Sequence, residues 1–308
     1  SKLDDEAFKA ESTKLIKYFL ASLTVPEEEL WVNLSPYEDD RIIPDMLGET
    51  EMGRDLLAQD YVLKQLTASL LYPENDLGSS FWSRVYEKTY AQFGTTDIPI
   101  NTFNKIWIIP EKAVVYEHNN TAFIAESHLK VMLEEDYVAL NKSMGIEQFG
   151  LDSLPETDAK DVSSLATQII KEIVIPEIEK EVNEGQNFAS LRQIYQSMIL
   201  SSWYKIALRE SLLGQVYADQ NKTKGIDLED KQVKFKIYDQ YLKAFNKGVY
   251  DYIKEDYDPK PQDVVYRKYI SGGADFNGLE NKVERFNDAA MLTSEQRQRV
   301  DYAVNATE

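Results

Sequence analysis

The chain of 308 residues has no cysteine and only two histidines. The first absence excludes disulfides, thiol nucleophiles and cysteine-bound metals. The second leaves little for a zinc site, which draws several His or Cys ligands. No run approaches the ~18 consecutive apolar residues of a membrane span. Positive charge is short as well: 34 Lys and Arg against 53 Asp and Glu give a net charge of −19. A phosphate backbone needs a basic surface, so nucleic acid is not an expected partner. The motifs GxSxG, HExxH, Walker A and GxGxxG do not occur. No secretory signal precedes the opening SKLDDEAFKAES, which reads as a processed or truncated piece of a longer protein. With no cysteine, an extracytoplasmic setting is slightly favoured over a cytoplasmic one.

Hydrophobic residues make up 43% of the chain, enough for a real core. The densest apolar stretch is 104–140. Within it, residues 113–118 and 121–127 alternate, with Asn119-Asn120 between them, which predicts a hairpin over 113–127 closed by a two-residue primed turn. In that register His118 faces Thr121, Tyr116 faces Phe123 and Val114 faces Ala125. Val115, Ala122 and Ile124 take the other face with Glu117 and Glu126. Both faces are largely apolar, so the hairpin is expected to be covered on both sides. Residues 105–109 read as a neighbouring strand ended by Pro110. From His128 the spacing of Leu129, Met132, Leu133, Tyr137 and Leu140 is helical. His118 then falls at the hairpin tip and His128 at its base, roughly 23 Å apart at ~3.3 Å per residue, too far to share a metal. His128 with Glu135 or Asp136 remains as a metal pairing, against a plain role at the helix start. Asp136 falls on the apolar stripe, which calls for a buried Arg or Tyr hydroxyl as its partner.

Helices dominate elsewhere. Residues 4–23 carry a stripe of Phe8, Leu15, Ile16, Phe19 and Leu20. Residues 51–71 form a helix capped by Thr50 and stopped by Pro73. Further helices read at 81–93, at 162–183 with an interruption at Pro176, at 189–218 and at 232–255. Beyond residue 257 periodicity is lost, and the end reads as an extended or docked tail with a short helix at 294–302. The expected fold is α+β, mostly helical, with a small antiparallel sheet in the first half and a helical second half. The expected division is an α+β domain at 1–150, a helical domain at 151–262 and the tail at 263–308.

Two constellations could carry chemistry. Arg54, Asp55 and Asp60, with Arg41 and the acidic run 38–40, could supply paired carboxylates and an oxyanion-stabilising arginine. The reading preferred over that one is a structural ion network fixing the loop to the helix, since no nucleophile motif accompanies them. The loop 219–230 places Asp219, Asn221, Thr223, Asp227 and Asp230 at the spacing of a calcium helix–loop–helix. Lys224 stands where that loop wants glycine, and Asp230 where it wants a longer glutamate. With those two departures the loop reads as an ordinary Asx/Gly helix connection and no cofactor is expected, calcium being the alternative.

The phrases WVNLSPYEDDRIIPDMLGETEMGRDLLAQDYVLKQLTASLLYPE and GTTDIPINTFNKIWIIPEKAVVYE resemble a family of bacterial hypothetical proteins. So do FASLRQIYQSMILSSWYKIALRESLLGQVYAD and KGVYDYIKEDYDPKPQDVVYRKYISGG, and the resemblance covers most of residues 30–273. It implies kinship and brings no activity, cofactor or catalytic residue. The residues point to a non-enzymatic binding or assembly module, with a protein partner or self-assembly, as part of a larger extracytoplasmic protein. The alternatives are a hydrolase using carboxylates, with or without a divalent metal, and a calcium-stabilised structural protein.

Overall fold

The computed structural model describes residues 2–33, 43–68, 76–98, 104–119, 121–144, 164–210, 255–258, 263–266 and 270–307. In chain order these form α1 (Lys2–Thr24), β1 (Trp31–Asn33), α2 (Asp45–Gly48), α3 (Glu51–Ala68) and α4 (Asp76–Phe93). The hairpin strands β2 (Asn104–His118) and β3 (Thr121–Leu133) follow, then α5 (Glu134–Ser143) and α6 (Ser164–Ile169). A π turn (Ile170–Val174) joins α6 to α7 (Ile175–Glu184), and α8 (Ala189–Glu210) comes next. The last elements are β4 (Glu255–Asp258), β5 (Asp263–Tyr266), β6 (Ile270–Asp275), β7 (Val283–Phe286) and α9 (Ser294–Thr307). The second-half segments around Pro155, the loop 219–230 and the helix expected at 232–255 lie outside the described residues, as do Arg41, the run 38–40 and Pro73.

The hairpin forms where alternation predicts it, with His118 opposite Thr121, Tyr116 opposite Phe123, and Asn119 in the left-handed region at φ 49°. It is longer at both strands than the sequence suggests. β2 runs through Pro110 instead of ending there, and β3 continues past His128 to Leu133 instead of turning helical. Register shifts fall between Pro110 and Lys112 and between Val114 and Val115. Each leaves one extra residue, Glu111 on β2 and Ala125 on β3. Val114 therefore opposes Glu126, not Ala125. The extra residue on β2 inverts its alternation: Ile106 and Ile108 reach the main core before it, Ala113 and Val115 after it. Val114 and Tyr116 turn instead to a smaller core made with Ala125, Leu292 and Val300, so α9 covers that face.

The sheet is mixed, where a purely antiparallel one was expected. β6 lies between β1, to which it is antiparallel, and β2, to which it is parallel. β7 is also parallel to β2, further along. A stretch that reads as tail thus sits inside the sheet, and all residues of β6 are buried. Its two glycines make the position possible. A Cβ on Gly272 would lie 2.8 Å from Leu63 Cδ2, and one on Gly273 would lie 2.8 Å from the Trp107 ring.

The main core joins the inner sheet face to α1, α3, α4, α7 and α8. On α1 the buried side is Tyr18, Ala21 and Ser22, while Phe8 (76% exposed) and Ile16 (58%) face outward. The expected stripe is therefore not the packing face. Tyr18 turns inward because its hydroxyl donates to Asp55 on α3. Thr50 caps α3 as its residue type predicts, accepting from the Gly53 amide at 3.0 Å. Pro176 stays within a continuous helical run because the wider π turn directly precedes it, where a tight α turn would clash with the proline ring.

The outer edge of β3 is closed by side chains of α7. Asn183 accepts from the Leu129 amide at 3.0 Å and donates to its carbonyl at 2.8 Å, and Glu179 accepts from the Val131 amide at 3.0 Å. Among the described residues, no helix is long and apolar enough to cross a membrane.

Candidate functional site

The helix α3 carries Arg54, Asp55 and Asp60, and helical geometry alone sets the two carboxylates about 140° apart around its axis. Asp60 is buried, pairs with Lys64 at 3.2 Å and accepts from the Gly272 amide at 2.8 Å. It ties α3 to β6. The cavity beside it, lined by Leu56, Leu63, Ile108 and Gly272, measures about 20 Å³, room for about one water. Asp55 points elsewhere, to the Tyr18 hydroxyl. Burial pushes its carboxyl above the usual range, outweighing the bond from Tyr18. Arg54 is nine-tenths buried, its Nε has no hydrogen-bond partner among the described residues, and its charge acts on Asp55. The two carboxylates do not converge on one space, and Arg41 with 38–40 lies outside the described residues.

The histidines are separate, and neither opens a helix. His118 bonds to the neighbouring Asn119 side chain at 2.9 Å on the exposed tip. His128 lies within β3, opposite Lys112. Its Nδ1 is 2.7 Å from Glu111 and its Nε2 is 3.6 Å from Glu179, so the ring links the hairpin to α7. Asp136 is exposed and binds Lys171 at 3.1 Å, which also holds Glu135 at 2.9 Å. Asp136 has this surface partner in place of the buried one expected, because Leu129–Leu133 belong to the strand and form no helical stripe with it. Among the described residues, no group of three or more His, Asp or Glu is placed to hold a metal ion. The calcium-type loop of Asp219, Asn221, Thr223, Asp227 and Asp230 lies outside them.

A polar layer lies on the sheet face away from α3. Trp107 stacks on Tyr137 at 4.3 Å, and Lys105 Nζ lies 4.8 Å from the Trp107 ring centre. Tyr137 donates to the buried Asp275, which fastens α5 to β6. Trp107 Nε1, Asn141 Nδ2 and Ser271 Oγ are buried and have no hydrogen-bond partner among the described residues.

A groove lies at the Glu111 bulge. There β2, β3, α5, the π turn, the start of α7 and the turn Leu279–Lys282 enclose about 490 Å³. Ile109, Met132, Leu133, Leu140 and Ile175 give it an apolar lining, and Lys130, Lys171 and Lys282 give it cations. Lys130 binds Glu111 at 3.4 Å. The bonds from Glu135 and Asp136 hold the Lys171 ammonium above its usual range, so it stays charged. Lys282 is exposed and makes no ion pair among the described residues. Sequence reasoning missed this groove, because its residues come from three distant segments and share no local pattern. No family model, curated protein or solved structure matches the chain.

Proposed function

We propose that the chain is a non-catalytic binding module whose ligand-facing element is the groove at the Glu111 bulge. One contrast carries the reading. The groove offers about 490 Å³ with an apolar lining, within the size range of small-molecule sites, whereas the space at Asp60 is about 20 Å³. The neutral dye N-phenyl-1-naphthylamine tests it. Saturable fluorescence enhancement by the native chain, lost in Leu140→Asp, supports the reading. Leu140 is 36% exposed, so its replacement leaves the core intact. No enhancement, or enhancement indifferent to Leu140→Asp, overturns it.

A carboxylate hydrolase is the second reading, favoured by Asp55. A carboxyl held above its ordinary range is what a general acid requires. Hydrolysis of a nitrophenyl ester or phosphate that is abolished by Asp55→Asn supports it. Absent turnover, or turnover equal in the variant, rules it out.

A further inference from the structure

The sign and arrangement of charge in the groove identify a ligand class. We propose that it takes a small amphipathic carboxylate: an acyl or aryl chain on the apolar lining, with its carboxylate at Lys171 and Lys282. This rests on the binding-module reading and specifies its ligand.

Charge is the first argument. The chain carries a net −19, yet three lysines line this groove against two acids, Glu111 and Asp136. With Glu135 on Lys171 the local charges balance, where the chain as a whole is strongly negative. Lys130 is engaged by Glu111 and Lys171 by Glu135 and Asp136, which leaves Lys282 without an ion pair among the described residues. A purely apolar ligand would press against ammonium groups and strip their water with no return.

The cation type narrows the anion. The lining contains lysine and no arginine. Lysine is a point charge on a flexible stem, without the bidentate fork that arginine offers to carboxylate and phosphate alike, so the amount of charge sets the match. Among the described residues one lysine has no ion pair and one is shared, which fits a single negative charge better than a phosphate dianion.

The sheet edge narrows the ligand's shape. An extended peptide would bind here by pairing with β3, whose Val131 borders the groove. The Leu129 amide and carbonyl and the Val131 amide are already taken by Asn183 and Glu179. A peptide strand would have to displace those side chains to pair here, whereas a short chain without backbone amides need not.

The test uses the native full chain with bound N-phenyl-1-naphthylamine, displaced in turn by dodecanoate, dodecanol and an acidic leucine-containing peptide. Dodecanoate is expected to displace the dye with about fivefold higher affinity than dodecanol, the upper scale of one partly screened ion pair, and less so in high salt. Lys282→Glu with Lys171→Gln is expected to remove that difference, read as the ratio of the dodecanoate and dodecanol affinities against the variant's own dye affinity. Equal displacement by dodecanoate and dodecanol overturns the carboxylate proposal but leaves the groove a binding site. Displacement by the peptide alone overturns it in favour of a peptide ligand. Failure of the dye itself to bind sinks the underlying reading instead.

Discussion

Asn183 does for Leu129 what a neighbouring strand would do. Its carboxamide accepts from the Leu129 amide and donates to the Leu129 carbonyl, at 3.0 and 2.8 Å. A helix thereby ends a sheet, and an otherwise pairing-competent edge is closed. Asn183→Ala is expected to cost about 1–3 kcal/mol, the usual penalty for buried backbone groups left without partners. Urea unfolding would measure the loss. Hydrogen exchange should show the Leu129 amide losing protection ahead of Ile108, which lies in the sheet interior.

The pair Asp60–Lys64 makes a sharper prediction. Both side chains are almost wholly buried, and Asp60 also serves the Gly272 amide. Lys64→Met removes the cation beside a buried carboxylate and is expected to destabilise by about 3–5 kcal/mol. Asp60→Asn keeps an acceptor for Gly272 but removes the lysine's carboxylate. The double variant should lose less than the sum of the two, because each single change already breaks the same pair. Chemical denaturation of the four proteins gives the cycle directly.

Asp55 sets a pH dependence of known sign. Its folded pKa lies above the ordinary carboxylate value, chiefly through burial. The folded state therefore holds this proton more tightly than the unfolded chain does. Stability from this group rises as pH falls through the raised folded value toward the unfolded one, and is lost on the way back up. Asp55→Asn keeps the acceptor for Tyr18 and removes the charge. At about pH 8 its melting temperature should equal or exceed that of the wild type, and the advantage should vanish toward about pH 4. A variant deficit at the alkaline end would contradict this.

Gly273→Ala probes the contact under Trp107. The added methyl would meet the ring at 2.8–3.0 Å, and neither the central strand nor a ring stacked on Tyr137 can easily withdraw. Overpacking of this kind costs about 1–3 kcal/mol. The variant should show a lower melting temperature together with a changed tryptophan fluorescence spectrum, since the Trp107–Tyr137 stack has to shift.

What could be read in advance was whatever is encoded locally. The 113–127 hairpin announces itself by alternation and by Asn119, and the Thr50 cap by residue type. The strand end at Leu133 was hidden because Leu129, Met132 and Leu133 satisfy a helical spacing as well as a strand one, and only the core position of Leu129 and Val131 decides. The bulge at Glu111 leaves no signature of its own. β6 was missed because Ser271-Gly272-Gly273 looks like a turn. Those glycines serve instead to let Leu63 and Trp107 approach, a demand that comes from residues far away in the chain. α1 misled in the opposite way: its aliphatic stripe is stronger than its packing face, but the Tyr18–Asp55 bond selects the weaker one. The groove lysines could not be associated at all before β7 had been placed beside β2.

The position of β6 also bears on how the molecule is made. A ribosome that has already delivered β2 must translate about 150 residues more before the strand that flanks it emerges. Until then the nascent chain carries β1 and β2 as separate, apolar edges with nothing between them. Such a sheet is completed late and by distant partners, the circumstance in which folding is slow and collision with other nascent chains is most damaging. Premature stop codons anywhere before Ile270 are expected to yield not a shortened version of the fold but material that quality control removes.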